Sequence, residues 1–264
     1  MSIEFGTVLK SWRIQRRMSQ LDLGLTAEVS SRHISFLETG RARPSRDMVL
    51  RLCDYLEVPL AARNQLLTAA GLAPAYAKRQ MSDGDMVQVS QAVDWMLKRH
   101  APYPAFALDR HWVVKEMNGP AMMLFQSVGI STGDSMIDAL AHNQNLRDAI
   151  ENLDEVIAYT IARLRTEVAH LGGDDVLEAA IEMLQSGAED APSPAGEFPS
   201  VVATRYRMNG MILSMFSTLS QFGTAEDIAL SELRIEMLFP ADDQTRKMLI
   251  ALHDADPATK MGDI

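Results

Sequence analysis

Residues 30–45 read SSRHISFLETGRARPS. On a wheel at about 100° per residue, Ile34 and Leu37 fall together and must face a core. Arg32, Ser35, Phe36 and Thr39 fall on the opposite side. That side has the chemistry of a base reader. An arginine forks onto guanine O6 and N7, small hydroxyls permit close approach, and a phenylalanine meets thymine methyls. Left in water, the phenylalanine would forgo burial worth about 2 kcal/mol. Ser31 and His33 complete the candidates on this helix. Arg41 and Arg43 follow Gly40 in a turn suited to backbone phosphates. Gln20 opens the preceding helix, where side-chain and backbone N–H groups meet a phosphate. Each residue also has a plain reading. Arg32, Arg41 and Arg43 suit a solvated surface, Phe36 suits packing on another part of the protein, and His33 suits the border of the core. The joint pattern is what points to DNA.

The elements that must position these residues are short helices. Phe5 to Arg16 carries apolar residues at helical spacing: Phe5, Val8, Leu9 and Trp12. Ser19 caps the second helix, and the third begins near Ser31. Ser45 caps a fourth with the stripe Met48, Val49, Leu52, Cys53 and Leu56. Pro59 opens a fifth, closed by Gly71. Five helices over residues 1–75 predict a compact bundle. The stretch LAPAYAKRQMSDGD reads as a junction, and Met86 to Arg99 as a connector helix, so residues 76–100 separate two domains.

Charge divides the chain at the same place. Residues 1–75 hold ten Lys and Arg against seven Asp and Glu, a net +3, which leaves −13 of the total −10 to the remainder. A basic head on an acidic body implies different partners for the two parts and suppresses loose DNA binding. No run of about 18 apolar residues is present, so no membrane span is expected. The single cysteine, Cys53, cannot form an internal disulfide, and a soluble protein of the reducing cytoplasm is expected. Enzyme readings are poor. His100, His111, His142, His170 and His253 lack metal spacing, G-x-S-x-G, H-E-x-x-H and P-loop motifs are missing, and Cys53 lies on an apolar stripe.

Residues 101–264 have another texture. YPAFALDRHWVVKEMN predicts a strand, a tight turn at Asp109–Arg110 and a second strand. Helices follow, the longest within DEVIAYTIARLRTEVAHL, then a loop, SGAEDAPSPAGEFPS. Three strand-like runs come next: VVATRYRM, MILSMFSTLSQF and ALSELRIEMLF, the first two joined by the hairpin signal Asn209–Gly210. A helix ends the chain. The expected fold is an α+β domain with a five-stranded antiparallel sheet and a helical insertion. Alternation puts Tyr206 and Met208, then Met211, Leu213, Met215 and Leu219, and again Leu233, Ile235, Met237 and Phe239, on an apolar, Met-rich face. It puts Arg205, Arg207, Glu232, Arg234 and Glu236 on a charged one, with cross-strand pairs between them. The many methionines suit an ordinary core as well as an irregular cavity. An amphiphile needs a polar anchor too, and Tyr159 and Arg163, one turn apart, are candidates.

Two resemblances sharpen these readings. SQLDLGLTAEVSSRHISFLETGRARPS resembles the helix-turn-helix of phage repressor-like (XRE family) regulators, with Gln20, Ile34, Leu37-Glu38, Gly40 and Pro44–Ser45 in place. The resemblance implies that Arg13 of the first helix pairs with Glu38. Two departures are Gly24, where alanine is usual, which costs up to about 1 kcal/mol of helix propensity and predicts a short or loosened second helix, and Val29–Ser30 in the turn. The strand-helix-strand order is similar to that of a PAS-like sheet. PYPAFALDRHWVVKEMN and FSTLSQFGTAEDIALSELRIEMLFPAD resemble the ligand-binding domain of MmyB-like regulators. That likeness implies a regulator whose PAS-like domain holds a fatty-acid-like ligand, with no other cofactor. The ligand candidates are then Met122, Phe125, Tyr159, Arg163, Tyr206 and Met215. The expected partners are a double-stranded DNA operator with an inverted repeat, a small apolar ligand and a second copy of the chain. The rival expectation is a repressor whose C-terminal domain only dimerises or docks a protein partner.

Overall fold

The computed structural model describes residues 4–79, 83–186, 201–208, 210–222 and 226–255. The chain divides into two compact units. The first comprises Met1–Arg79, Thr166–Asp174 and Thr224–Ser231; the second comprises Gln80–Arg165, Asp175–Gly223 and Glu232–Ile264.

Five helices build the first unit: α1 (Phe5–Gln15), α2 (Gln20–Thr26), α3 (Ser31–Glu38), α4 (Arg46–Tyr55) and α5 (Leu60–Ala69). α1 packs on α3 and α5, and α2 on α3 and α4. Their inward stripes form one core that includes Leu9, Trp12, Leu23, Ile34, Leu37, Leu52 and Leu66. Two glycines let backbone pack closely against the helices that carry them. A Cβ on Gly6 would lie 2.3 Å from the Glu38 carbonyl oxygen, so α1 crosses the end of α3 at that point. A Cβ on Gly24 would lie 2.8 Å from the Val29 carbonyl oxygen and 3.1 Å from the Ser31 nitrogen. Glycine in α2 therefore does not loosen the helix. It lets the α2–α3 turn fold back tightly against it.

The second unit opens with α6 (Val87–Arg99), which leads to β1 (Ala105–Leu108) and β2 (Val114–Met117). Five helices follow: α7 (Gly119–Gln126), α8 (Met136–His142), α9 (Gln144–Ala149), α10 (Leu153–Leu171) and α11 (Asp175–Ser186). Then come β3 (Thr204–Met208), β4 (Met211–Gln221), α12 (Ile228–Glu232), β5 (Arg234–Pro240) and α13 (Asp243–Ala255); residues 166–171 of α10 and 228–231 of α12 belong to the first unit. The strands form one antiparallel sheet in the order β2-β1-β5-β4-β3. Asn118 joins α6, β1 and α7. Its Oδ1 accepts from the Ala105 and Ala121 N–H groups, both at 3.0 Å, and its Nδ2 donates to the Leu97 and Tyr103 carbonyls.

Several details differ from the sequence expectation. The run ALSELRIEMLF is not a single strand; Ile228–Glu232 is helical and the strand starts at Arg234. The β1–β2 connection spans residues 109–113, held by Asp109 Oδ1, which accepts from the N–H groups of His111 and Val113. Met208 pairs with Met211 across the hairpin, where Gly210 takes φ +76°; Asn209 and most of the loop SGAEDAPSPAGEFPS lie outside the described residues.

The larger difference is the phase of β5. Glu236 pairs with Phe106 and Leu219, so it shares the face of Tyr206 and Met215, while Ile235, Met237 and Phe239 face the other way. β5 is central and buried on both faces, which removes the contrast of burial that makes alternation readable. The expected pairs of Arg205 and Arg207 with Glu232 and Glu236 are not formed: Glu232 lies in α12 and pairs with Arg110, and β3 and β5, which carries Glu236, are not neighbours. Arg205 bonds Glu151 at 2.8 Å and Arg207 the Asp148 carbonyl at 3.2 Å.

The Gly24 contact makes a stability prediction. Alanine gains up to about 1 kcal/mol of helix propensity over glycine, but here its methyl meets backbone that cannot turn aside. Gly24→Ala should lower the urea midpoint of the first unit despite the better helix former. A raised midpoint would show that the turn yields.

Candidate nucleic-acid interface and ligand cavity

Caps set the ends of the helices that carry the DNA-facing candidates. Ser30 Oγ accepts from the His33 N–H at 3.1 Å, capping α3. Ser19 and Asp22 exchange bonds of 3.1 and 2.9 Å at the start of α2. These side chains satisfy amides that a helix leaves unpaired. Between the helices Glu28 takes φ +56°, the left-handed conformation that redirects the chain.

A buried charge network fixes α3 against its neighbours. Arg13 Nε and Nη2 donate to the two Glu38 oxygens at 2.6 and 3.0 Å, and Nη1 donates to the Met18 carbonyl at 2.7 Å. Gln20 Nε2 donates to Glu38 Oε2 at 2.8 Å. Burial by itself would raise the Glu38 pKa. The hydrogen bonds from Arg13 and Gln20, with the charges of Arg13 and Lys10, outweigh it and hold the carboxyl below its ordinary value.

The outer face of α3 carries the candidates. Arg32 is exposed, whereas Ser31, His33, Ser35 and Phe36 are half-buried. Phe36 stands outside the core of the unit. Its ring is covered by the Arg32 guanidinium, 5.2 Å from the ring centre and one turn away. The Arg41 and Ala42 N–H groups donate to the Phe36 carbonyl at 2.8 and 3.1 Å. That anchors the turn in which Gly40 takes φ +70° and Arg41 and Arg43 are exposed.

The second unit contains a cavity of about 780 Å³, its mouth included. The sheet contributes Phe106, Thr204, Tyr206, Ser217, Glu236 and Leu238; the helical insertion contributes Phe125, Met136, Leu140, Leu146, Val156, Tyr159, Thr160 and Arg163. The walls are mostly apolar, with hydroxyls and one charge pair among them, the composition of a small-molecule site. Arg163 Nη2 lies 2.6 Å from Glu236 Oε1, and the guanidinium stacks 4.2 Å from the centre of the Trp112 ring. Trp112 takes φ +62° at the end of the β1–β2 connection, which brings its ring to the cavity wall. Burial, then the Glu236 charge, pushes the Tyr206 hydroxyl up to about 12, so it stays protonated and can donate.

A family model for the helix-turn-helix domain matches residues 4–66, and no curated protein matches the chain. A model for the MmyB-like transcription regulator ligand binding domain matches residues 89–252, well over half of the chain. The chain belongs to the MmyB-like transcription regulators. It is a DNA-binding regulator with a ligand-binding domain. No helix among the described residues is long and apolar enough to cross a membrane.

In this MmyB-like regulator the cavity gathers four of the six ligand candidates, Phe125, Tyr159, Arg163 and Tyr206. Met122 is 40% exposed on α7 and stands off the cavity, while Met215 is buried without lining it. Sequence reasoning missed Trp112 and Glu236. The first depends on a backbone conformation with no periodic signal. The second was hidden because alternation put it on the charged face with Arg234. Cys53 is buried in the first unit and its thiol is pushed up to about 12 by burial, so it is no nucleophile.

The Glu38 network gives the regulator a pH dependence. A carboxyl whose folded pKa lies below its unfolded value, about 4.3, contributes stability above that value. The contribution is lost as pH falls through the folded pKa. Acidifying from about pH 6 to about pH 3 should therefore lower the first unit's unfolding midpoint more in the native chain than in Glu38→Gln. Equal losses would place the acid sensitivity elsewhere. Arg13→Ala, which strands the buried carboxylate, should cost about 3 kcal/mol at neutral pH by the same measurement.

Proposed function

We propose that this chain is a cytoplasmic, homodimeric transcription regulator that binds an inverted-repeat operator and whose PAS-like C-terminal domain senses a small apolar, fatty-acid-like ligand. The observation that carries the DNA half is the outer face of α3, where Arg32 and Phe36 stack away from the core. In this reading α3 enters the major groove, with Arg32 on guanine, Phe36 on thymine methyl surface, and Ser31, His33 and Ser35 close to the base edges or phosphates. Arg41 and Arg43 contact phosphates. Gln20 uses one amide N–H on Glu38 and keeps the second for a phosphate. A two-fold dimer reads half-sites about 10 bp apart or a multiple of that.

The cavity supports sensing over a role in assembly alone. A domain that only dimerised would have no need of a space lined by Phe106, Phe125, Leu140 and Leu238 and edged by Arg163 and Tyr206. Control requires that the ligand bind the DNA-competent and DNA-incompetent states with different affinity.

Base reading and phosphate contact separate in a binding experiment. Arg32→Ala should cost about 1–3 kcal/mol on the operator and relax preference at one base pair. Arg41→Ala or Arg43→Ala should weaken all sequences alike and reduce the salt slope by about 1. Anisotropy titrations with operator and scrambled duplexes check both. An Arg32→Ala protein with unchanged affinity and preference would remove α3 from the groove.

A further inference from the structure

α10 runs through both units: residues 153–165 belong to the second and residues 166–171 to the first. In the second unit it forms a wall of the cavity. Val156, Tyr159, Thr160 and Arg163 line the space, at the i, i+3, i+4, i+7 spacing of one helix face. The sheet supplies another wall, with Phe106, Tyr206, Glu236 and Leu238. A ligand that fills the space therefore touches both α10 and the sheet.

In the first unit the same helix ends against α1. The Gln15 side-chain amide donates to the Ala169 carbonyl. Gly172 follows the last turn at φ +83°, and a Cβ there would overlap the Trp12 ring at Cζ2. Glycine alone meets both conditions, a left-handed backbone and a ring standing where a side chain would begin. The Gly173 N–H closes the helix on the Val168 carbonyl at 3.1 Å. Trp12 is buried in the core of the first unit, and its neighbour Arg13 braces Glu38 at the end of α3. An unbroken helix carries a displacement along its axis, because each turn is bonded to the next. A shift of α10 at the cavity thus reaches α1, and through the Arg13–Glu38 pair it reaches the helix that carries the DNA-facing candidates.

We propose that α10 is the element through which a ligand in the cavity regulates DNA binding, and that the seat of Gly172 on Trp12 is where the displacement enters the first unit. This rests on the reading that the cavity takes a fatty-acid-like ligand, and it names the route by which that ligand acts. The ligand needs only to favour one position of α10 over another, since differential affinity for two states is what shifts their populations. Gly172 and Trp12 are positioning residues, outside the cavity lining.

Anisotropy titrations of the full-length protein with operator duplex, with and without saturating laurate, test the proposal beside calorimetry of laurate binding. Laurate should change the operator Kd of the native protein by about fivefold or more. Arg165→Gly with Thr166→Gly, at two exposed positions, loosens α10 between the cavity and the Trp12 contact. That variant should bind laurate with near-native affinity yet lose most of the operator response. Gly172→Ala, whose methyl meets Trp12, should lose the response in the same way. Where a variant fails to fold, hydrogen exchange of the native protein decides: laurate should alter exchange in α1 and in residues 166–171 as well as at the cavity. A native response in the folded variants, or exchange in α1 unmoved by laurate that does shift the operator Kd, overturns the α10 route and leaves the sensing reading in place. Laurate that binds the native protein without changing its operator affinity overturns the route and the control it serves, while ligand binding stands. Laurate that does not bind overturns both.

Discussion

A charge taken out of water must bring its partner with it, and the first unit is organised around one such pair. Arg13 and Glu38 come from the first and third helices and meet through two parallel hydrogen bonds. The remaining polar capacity is used as well. Met18 takes the third guanidinium bond and Gln20 supplies a second donor to the carboxylate. Desolvation of two ions is costly and is offset only when geometry is good and the spare donors and acceptors are filled. Here they are filled, so α1, α2 and α3 are held at one mutual angle. Apolar packing alone tolerates sliding; a bidentate pair does not. The close crossing at Gly6, over the carbonyl of Glu38 itself, requires the same alignment.

The second unit contains the same pair of groups at the wall of a cavity. Arg163 and Glu236 lie 2.6 Å apart, and the guanidinium also meets the face of Trp112. The first pair is enclosed by helices, whereas the second borders a space with mostly apolar walls. Both pairs are buried and formally neutral, so what separates them is the space beside the second one.

Legibility in the sequence followed the physics of each element. The five N-terminal helices were readable because caps and one-sided stripes coincide, Ser19, Ser30 and Ser45 each preceding an amphipathic run. Arg13 with Glu38 required the family likeness, since nothing local links residues 25 positions apart. β3 and β4 were readable as a hairpin, because Met208 and Met211 flank a two-residue turn. β5 was not, because a central strand is buried on both faces and alternation loses its meaning there. That one phase error concealed the partner of Arg163: Glu236 looked like a surface charge while it stood inside the domain. Gly24 looked like a defect in α2 because propensity counts only the helix, whereas the cause lies in the turn that follows.

On the face of α3 an arginine rests on a phenylalanine ring. A free arginine side chain samples many rotamers and loses them on contact. Resting on Phe36 one turn away limits that freedom before any partner arrives. The phenylalanine need not be inserted into anything to matter. Its half-buried ring gives Arg32 a platform, and its carbonyl anchors the turn that carries Arg41 and Arg43. In the proposed DNA reading, base contact and backbone contact thus depend on one residue through two different groups. The apolar side chain that had no reason to face water has one: it orders the charge above it.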